Sequence, residues 1–346
     1  MMALSRKERR EQRKRVLKEK RLEELKVAEE KEKAVDTRRG ERKGFLRFYD
    51  KQYKKLLFIP FIVLLLAIVS IIIHTANTGD FINKGVSLKG GIVITVPVDQ
   101  PVSVDELEAF LRARFPADDL DVRSIAEFGE QKAVIVSSDN LENEKNLLEA
   151  IDEKIPGAKE EASIETTGPT LGEGFFKQTM IALVIAFVLM GLVVFAYFRT
   201  VVPSMAAILS VFSDIIVTLA IVNLLGMKLS TAGIAAFLML IGYSIDTDIL
   251  LSTKVLKRKE GSVFDRILSA AKTGLTMNIT TLVAVVVAMI LAQSDTIRQI
   301  MIILLIGLLV DIMNTWIQNT GLLRFYLEHK SKKPAKPGVV ESFEEQ

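Results

Sequence analysis

Asp214, Asp246, Asp248 and Asp311 stand inside stretches of sequence that are otherwise almost wholly apolar. An aspartate at the centre of a membrane helix costs about 2.5–3.5 kcal/mol on insertion scales. A chain that keeps several of them uses them in one of two ways. They act as neutral or paired glue between helices, or they line a wet path for protons or cations. Three helices carry these carboxylates, and polar companions surround them: Ser210, Ser213, Thr218, Asn278, Thr280 and Thr281, with Asn314 one turn beyond Asp311. Ser210 and Thr218 each lie four residues from Asp214, so in a helix all three share a face. A carboxylate in such a place can change protonation state. One charge crossing 100 mV releases about 2.3 kcal/mol, enough to drive motion. The pattern favours an ion path over glue.

Other chemistry is poorly supplied. The 346 residues include no cysteine and two histidines, His74 and His329. Disulfides and thiolate metal sites are excluded, and an imidazole metal centre is not expected. No cofactor, no metal and no enzymatic activity are expected.

The elements that must hold the aspartates are membrane helices. The chain is 49% hydrophobic yet 25% charged, and the two kinds of residue are segregated. About 20 apolar residues cross the hydrocarbon of a bilayer. Six stretches qualify: Leu56–His74, Met180–Phe198, Val202–Leu225, Thr231–Ser252, Leu275–Ala292 and Ile300–Leu323. The first is too deep behind its basic lead to be a cleaved signal peptide. Small residues Ala232, Gly233, Ala235, Ala236, Gly242 and Ser244 suit close helix packing in the fourth.

Charge sets the orientation. Residues 1–55 hold 21 Lys or Arg against 11 Asp or Glu, whereas residues 76–175 hold 9 against 20. Arg199, the loop Lys254–Lys272 (with Lys257, Arg258, Lys259 and Arg266) and the tail with Arg324, Lys330, Lys332 and Lys333 join the basic N-terminus on one side. Only Lys228 and Arg298 occupy the short loops of the other. The positive-inside rule puts the basic side, and both termini, in the cytoplasm. Residues 5–35 read as a charged helix that enforces topology. Attraction to anionic lipid or ribosomal RNA is the alternative use of such a segment, and no nucleic-acid partner is expected. The tail from Ser331 reads as disordered.

The acidic insert alternates strand and helix. Gly91–Val98 is a β-branched run, and Ser103 with Glu106 has capping-box spacing before a helix Val104–Phe115. Leu120–Phe128 and Lys132–Ser138 read as strands around a turn at Gly129, Leu141–Ile155 as an amphipathic helix, and Ala162–Thr167 as a last strand. The β-α-β-β-α-β order fits a ferredoxin-like α+β domain. It carries no phosphate loop, nucleophile elbow or metal spacing. Its acidity serves solubility, with binding of unfolded polypeptide as the sharper alternative.

Several segments together resemble a known family. Gly85–Gly91 (GVSLKGG, with Gly90) resembles the glycine-rich motif after the first span of the SecD/SecF family. Gly168-Pro169-Thr170-Leu171-Gly172 resembles its motif before the second span, and Phe212–Leu219 its third-span motif. Ile241–Lys254, with Gly242, Tyr243 and Ser244, resembles the fourth-span signature of SecF. The match runs from about Leu56 to Leu323 and is similar to the archaeal branch, within the RND superfamily. The resemblance implies an accessory subunit of the Sec translocase that pairs with SecD, acts at the SecY channel, contacts the translocating polypeptide and membrane lipid, and uses an ion gradient to assist export. It places the family's ion-path aspartate on Asp214 and its basic fourth-span residue on Lys254. The bacterial pattern differs. It has an imidazole where Ser213 stands, arginine where Lys254 stands, a small residue where Asp311 stands, and no acidic pair like Asp246 and Asp248. The coupling ion, H⁺ or Na⁺, stays open.

The expected architecture is a bundle of six transmembrane helices, an RND-like half, with an inserted ferredoxin-like extracytoplasmic domain. Its parts are a basic cytoplasmic segment (1–55), the first span (56–74), the extracytoplasmic domain (75–175), a five-helix bundle (176–325) and a cytoplasmic tail (326–346). An RND-type transporter half that moves a small molecule or lipid is the alternative function.

Overall fold

A computed structural model describes residues 44–127, 130–257, 262–292 and 294–332. The basic segment before residue 44, the turn at Gly129, Arg258, Lys259 and the tail from Lys333 lie outside the described residues.

Six helices are long and apolar enough to span a membrane. Helix α1 (Phe45–Leu56) leads into α2 (Phe58–Thr78), which ends at Gly79 in the left-handed conformation, φ 82°. The other spans are α7 (Pro169–Phe198), α8 (Val201–Leu224), α9 (Thr231–Lys257) and α10 (Val263–Leu291). The sixth is α11 (Asp295–Met313), continued by a π-helical segment (Asn314–Asn319) and α12 (Thr320–Lys332). Helices α8, α9 and α11 form the centre, and α2, α7 and α10 lie outside them.

Apolar content alone predicts shorter helices. Helix α7 begins eleven residues before Met180, because Pro169 at its first turn starts the helix within the second glycine motif. Helix α10 begins at Val263 because Ser262 and Asp265 form a reciprocal capping box. The long loop expected over Lys254–Lys272 is therefore mostly helix, and Lys254 belongs to α9. At that end of the bundle α1 turns back on α12. The buried Arg324 guanidinium donates to Asp50 at 2.7 Å and stacks over the Tyr53 ring.

Between α2 and α7 lies the inserted domain: short α3 (Val86–Lys89), β1 (Gly91–Pro97), α4 (Val104–Arg114), β2 (Asp121–Glu127), β3 (Glu130–Ser138), α5 (Glu144–Lys154), short α6 (Ala158–Glu161) and β4 (Ser163–Thr167). The four strands form one antiparallel sheet in the order β2-β3-β1-β4. Alternate residues Ile92, Ile94 and Val96 of β1 and Val134 and Val136 of β3 face Leu107 and Leu111 of α4 and Leu147 and Ile151 of α5 in one core.

The two glycine motifs meet where the chain enters and leaves this domain. Gly90 (φ 90°) lies so close to Pro169 that a Cβ would come within 2.6 Å of its Cα. A Cβ on Gly172 would meet the Gly90 nitrogen at 2.5 Å, and one on Gly91 (φ 137°) would overlap the Ser138 carbonyl. Gly85 donates from its backbone to Leu229 at 2.8 Å, so the α8–α9 connection joins the same junction. Lys228 reaches Asp119 of the domain at 2.7 Å, and Lys89 reaches the other carboxylate oxygen at 3.3 Å. Burial would raise the Asp119 carboxyl, but the two ammonium groups outweigh it and hold it below its usual range.

Candidate functional site

Four of the membrane helices turn polar side chains toward one another inside the bundle. On α8, Ser210, Ser213, Asp214 and Thr218 are all fully buried. On α9, Ser244, Asp248 and Ser252 recur every four residues, with Thr247 beside them, and this spacing puts them on the inner face. Helix α10 adds Asn278. The sixth span adds Asp311, Asn314, Thr315, Gln318 and Asn319.

The last of these depend on the π-helical segment. Thr320 donates its hydroxyl to the Thr315 carbonyl, five residues back, at 3.0 Å. The widened turn brings residues five apart toward one face. Asn314 and Asn319 therefore both point into the bundle, one above the other, where an α-helix would splay them.

The polar residues form two layers. In the first, Asp214 accepts from the Asn314 amide at 2.7 Å through one oxygen and from the Ser244 hydroxyl through the other. Asp311 accepts from Thr315 at 2.9 Å and from the Asn278 amide at 3.1 Å, and Thr247 lies 3.3–3.4 Å from both its oxygens. The second layer is one turn nearer the α9–α10 connection. There Asn319 donates to Asp248 at 2.7 Å, and Gln318 donates to the Ser213 hydroxyl at 3.2 Å. Among the described residues, every donor to these three carboxylates is neutral.

Four helices thus enclose three carboxylates, and among the described residues no cationic side chain donates to them. A buried ionised carboxylate is stable only when paired or solvated by dipoles. Asp214, Asp248 and Asp311 have hydrogen-bond donors but, among the described residues, no counter-charge. Each is therefore suited to take up and release a positive charge, as a proton or a cation.

The remaining candidates divide. Ser210, Ser213, Thr218, Ser244 and Asn314 belong to the polar core. Asp246 does not: it is exposed on the outer face of α9 together with Gly242 and Tyr243. Residues two apart on a helix point in nearly opposite directions, so Asp248 and Asp246 cannot both face inward. Lys254 donates to the Ser269 carbonyl at 2.9 Å and the Thr273 hydroxyl at 2.7 Å, both on α10. It lies outside the Asp214–Asp311 network. The glycines Gly85, Gly90, Gly91 and Gly172, with Pro169, serve the domain junction, whereas a Cβ on Gly168 or Gly242 would meet open space. Sequence reasoning missed Thr247, Thr315, Gln318 and Asn319. The available signal was the polar run Asn314, Thr315, Gln318, Asn319, Thr320 within an apolar span.

The chain is similar to known proteins. Residues 147–329 match the family model described as protein export membrane protein SecD/SecF, C-terminal. Protein-export membrane protein SecF of Pyrococcus furiosus is 41% identical over 281 residues, covering 81% of this chain and 93% of that protein. The protein of the same name from Methanolacinia petrolearia is 39% identical over 284 residues, 81% of this chain and 95% of its own. Among solved structures, SecDF of Thermus thermophilus, described as a translocon-associated membrane protein, superimposes with a TM-score of 0.63 at 20% identity. That likeness concerns the fold. It covers 83% of this chain and 39% of the SecDF chain, so this chain spans about two fifths of SecDF.

Proposed function

We propose a mechanism for this chain from one premise: it belongs to the SecF family, protein-export membrane subunits of the Sec translocase. In this mechanism the chain works with SecD and assists export at the SecY channel by coupling an ion gradient to movement of the emerging polypeptide. Asp214 is the ion-coupled carboxylate, with Asp311 and Asp248 as its relay partners. The observation that carries this is the absence of any cation among the described residues beside three fully buried carboxylates. Glue would need no titratable group, because asparagine keeps one acceptor oxygen and can donate through its amide to the Ser244 hydroxyl.

The partner follows from the opposite face. Asp246 and Tyr243 are exposed near the middle of α9. A carboxylate facing lipid there would carry the insertion cost of about 2.5–3.5 kcal/mol. A second membrane protein supplying a donor or a cation removes that cost, and SecD is that protein. The inserted domain is then a ferredoxin-like unit on the extracytoplasmic side, supported by its strand order and two covering helices. Both termini are cytoplasmic, supported by the Lys/Arg distribution of the loops.

The test is export of a secreted reporter in a strain that relies on this chain. Asp214→Asn preserves shape and most hydrogen bonds but cannot titrate. Export assistance is expected to fall at least tenfold (~1.4 kcal/mol in effective barrier) with normal protein level and SecD association. Full export in Asp214→Asn would move the coupling role to Asp248 or Asp311, or to the partner.

A further inference from the structure

The two layers differ in one respect. In the first, every carboxylate oxygen of Asp214 and Asp311 accepts a hydrogen bond. In the second, Asp248 Oδ1 is taken by Asn319, and Asp248 Oδ2 has no partner although the residue is fully buried. Three further oxygens around it are also buried without a partner: Asn319 Oδ1, Ser210 Oγ and Ser252 Oγ. Ser252 is one turn from Asp248 on the same inner face. The Ser210 hydroxyl lies beside the Asp248 carboxyl across the α8–α9 interface without closing a hydrogen bond. Asn319 is already fixed to Asp248 by its amide nitrogen, so its oxygen stays at the same place.

We infer that Asp248, Ser210, Ser252 and Asn319 form a binding site for a monovalent alkali cation of the size of sodium. Four orphaned oxygens, contributed by α8, α9 and the π-helical segment, share the layer that holds the Asp248 carboxylate. Hard cations take oxygen ligands of this kind, and a single ion satisfies several acceptors at once. A proton on Asp248 would satisfy only one neighbour. A divalent ion would leave a net charge buried among neutral groups, and no three acidic or histidine side chains converge for it among the described residues. One carboxylate with neutral oxygens balances one positive charge. The first layer leaves no carboxylate oxygen for such an ion, because those of Asp214 and Asp311 are already taken by amides and hydroxyls, although the neutral Asn314 Oδ1 is buried there without a partner as well.

The site lies one turn from Asp214, so an ion bound there would act on the same helix interface. It depends on the ion-path mechanism only for its use. Whether the ion binds is read on the isolated protein. The experiment is thermal unfolding of the purified full chain in neutral detergent, in sodium chloride against choline chloride at matched ionic strength. A ligand that binds the folded state raises the unfolding temperature. The wild type is expected to show a saturable rise in sodium that choline does not give. Asp248→Asn is expected to lose the rise while keeping its unfolding temperature in choline. Ser252→Ala, which removes one ligand and no charge, is expected to need roughly tenfold more sodium for the half-maximal rise. Equal unfolding temperatures in both salts would overturn the site and leave buried water as the partner of these oxygens. A sodium effect that survives Asp248→Asn would overturn it as well. If Asp248→Asn does not fold, an unchanged sodium midpoint in Ser252→Ala has the same force. Failure of this binding with loss of export in Asp214→Asn would overturn the site alone; intact binding with normal export in Asp214→Asn would overturn the coupling mechanism alone.

Discussion

Charge inside an apolar run is the loudest signal a single residue can give, and Asp214, Asp248 and Asp311 give it. Their neighbours are quieter. Gln318 and Asn319 stand seven and eight residues beyond Asp311, so helical spacing brings them to its side of the helix, and the π-helical turn over Asn314–Asn319 sets Asn314 and Asn319 in line there. Asp246 shows the reverse error. It looks equivalent to Asp248 by composition, yet two residues of separation put it on the other side of α9. Asp311 tests whether the first layer acts as a unit. Asp311→Asn keeps the bonds from Thr315 and Thr247 in part, but sets its amide nitrogen against Asn278 or Thr247. We expect export assistance to fall as in Asp214→Asn, and the double variant to lose no more than either alone, as for groups that act together. Additive losses in a reporter assay would show that the two carboxylates work independently. Lys254 belongs to another question. Its bonds to Ser269 and Thr273 tie α9 to α10, so Lys254→Gln is expected to export normally if its role is to join helices, and to fail if it serves the ion path. The same reporter separates the two.

Helices and strands were legible in the sequence to the extent that hydropathy and turn chemistry define them. All six spans and the strand–helix alternation of the insert appear in the order expected. What hydropathy could not supply was length. Helices α7 and α10 continue well past their apolar windows because a proline and a capping box start them earlier, and these polar turns carry no hydrophobic signal. The glycine motifs were visible only as motifs. Their physical reason is the crossing of two backbones at Gly90, Pro169 and Gly172, where no Cβ fits. Gly172→Ala is expected to destabilise the junction by about 1–3 kcal/mol, seen as a lower unfolding temperature, whereas Gly168→Ala, with open space around it, is expected to cost less than half as much. Equal effects would refute the steric account. The Lys228–Asp119–Lys89 cluster holds the inserted domain to the α8–α9 connection from the other side. Because the folded Asp119 carboxyl titrates below its usual range, this contact is fully present above the ordinary carboxylate pKa of about 3.9 and is lost as pH falls through the depressed folded value. Hydrogen exchange around Leu120 and Met227 should therefore quicken in acid, and Asp119→Asn should reproduce that at neutral pH. An exchange pattern indifferent to both would remove the cluster from the docking contact.

At the scale of the whole molecule, the chain is a ring of apolar helices around a polar core, with a folded domain fixed at one end and one face left polar at Asp246. In the proposed assembly that exposed face is where SecD docks. Asp246→Leu is expected to leave the isolated protein folded but to weaken its association with SecD in mild detergent. Undiminished association would place the contact elsewhere. Orientation is checked by single cysteines: Asp139→Cys is expected to react with an impermeant reagent in intact cells, and Lys257→Cys only after lysis. The central claim is that the polar core converts an ion gradient into assistance for export. It is tested most directly in sealed vesicles that contain this chain, SecD and the SecY channel, loaded with a partly translocated polypeptide. Imposing an ion gradient is expected to speed completion of translocation with the wild-type chain, while Asp214→Asn completes it at the same slow rate with or without the gradient. An equal acceleration of wild type and Asp214→Asn would contradict the account.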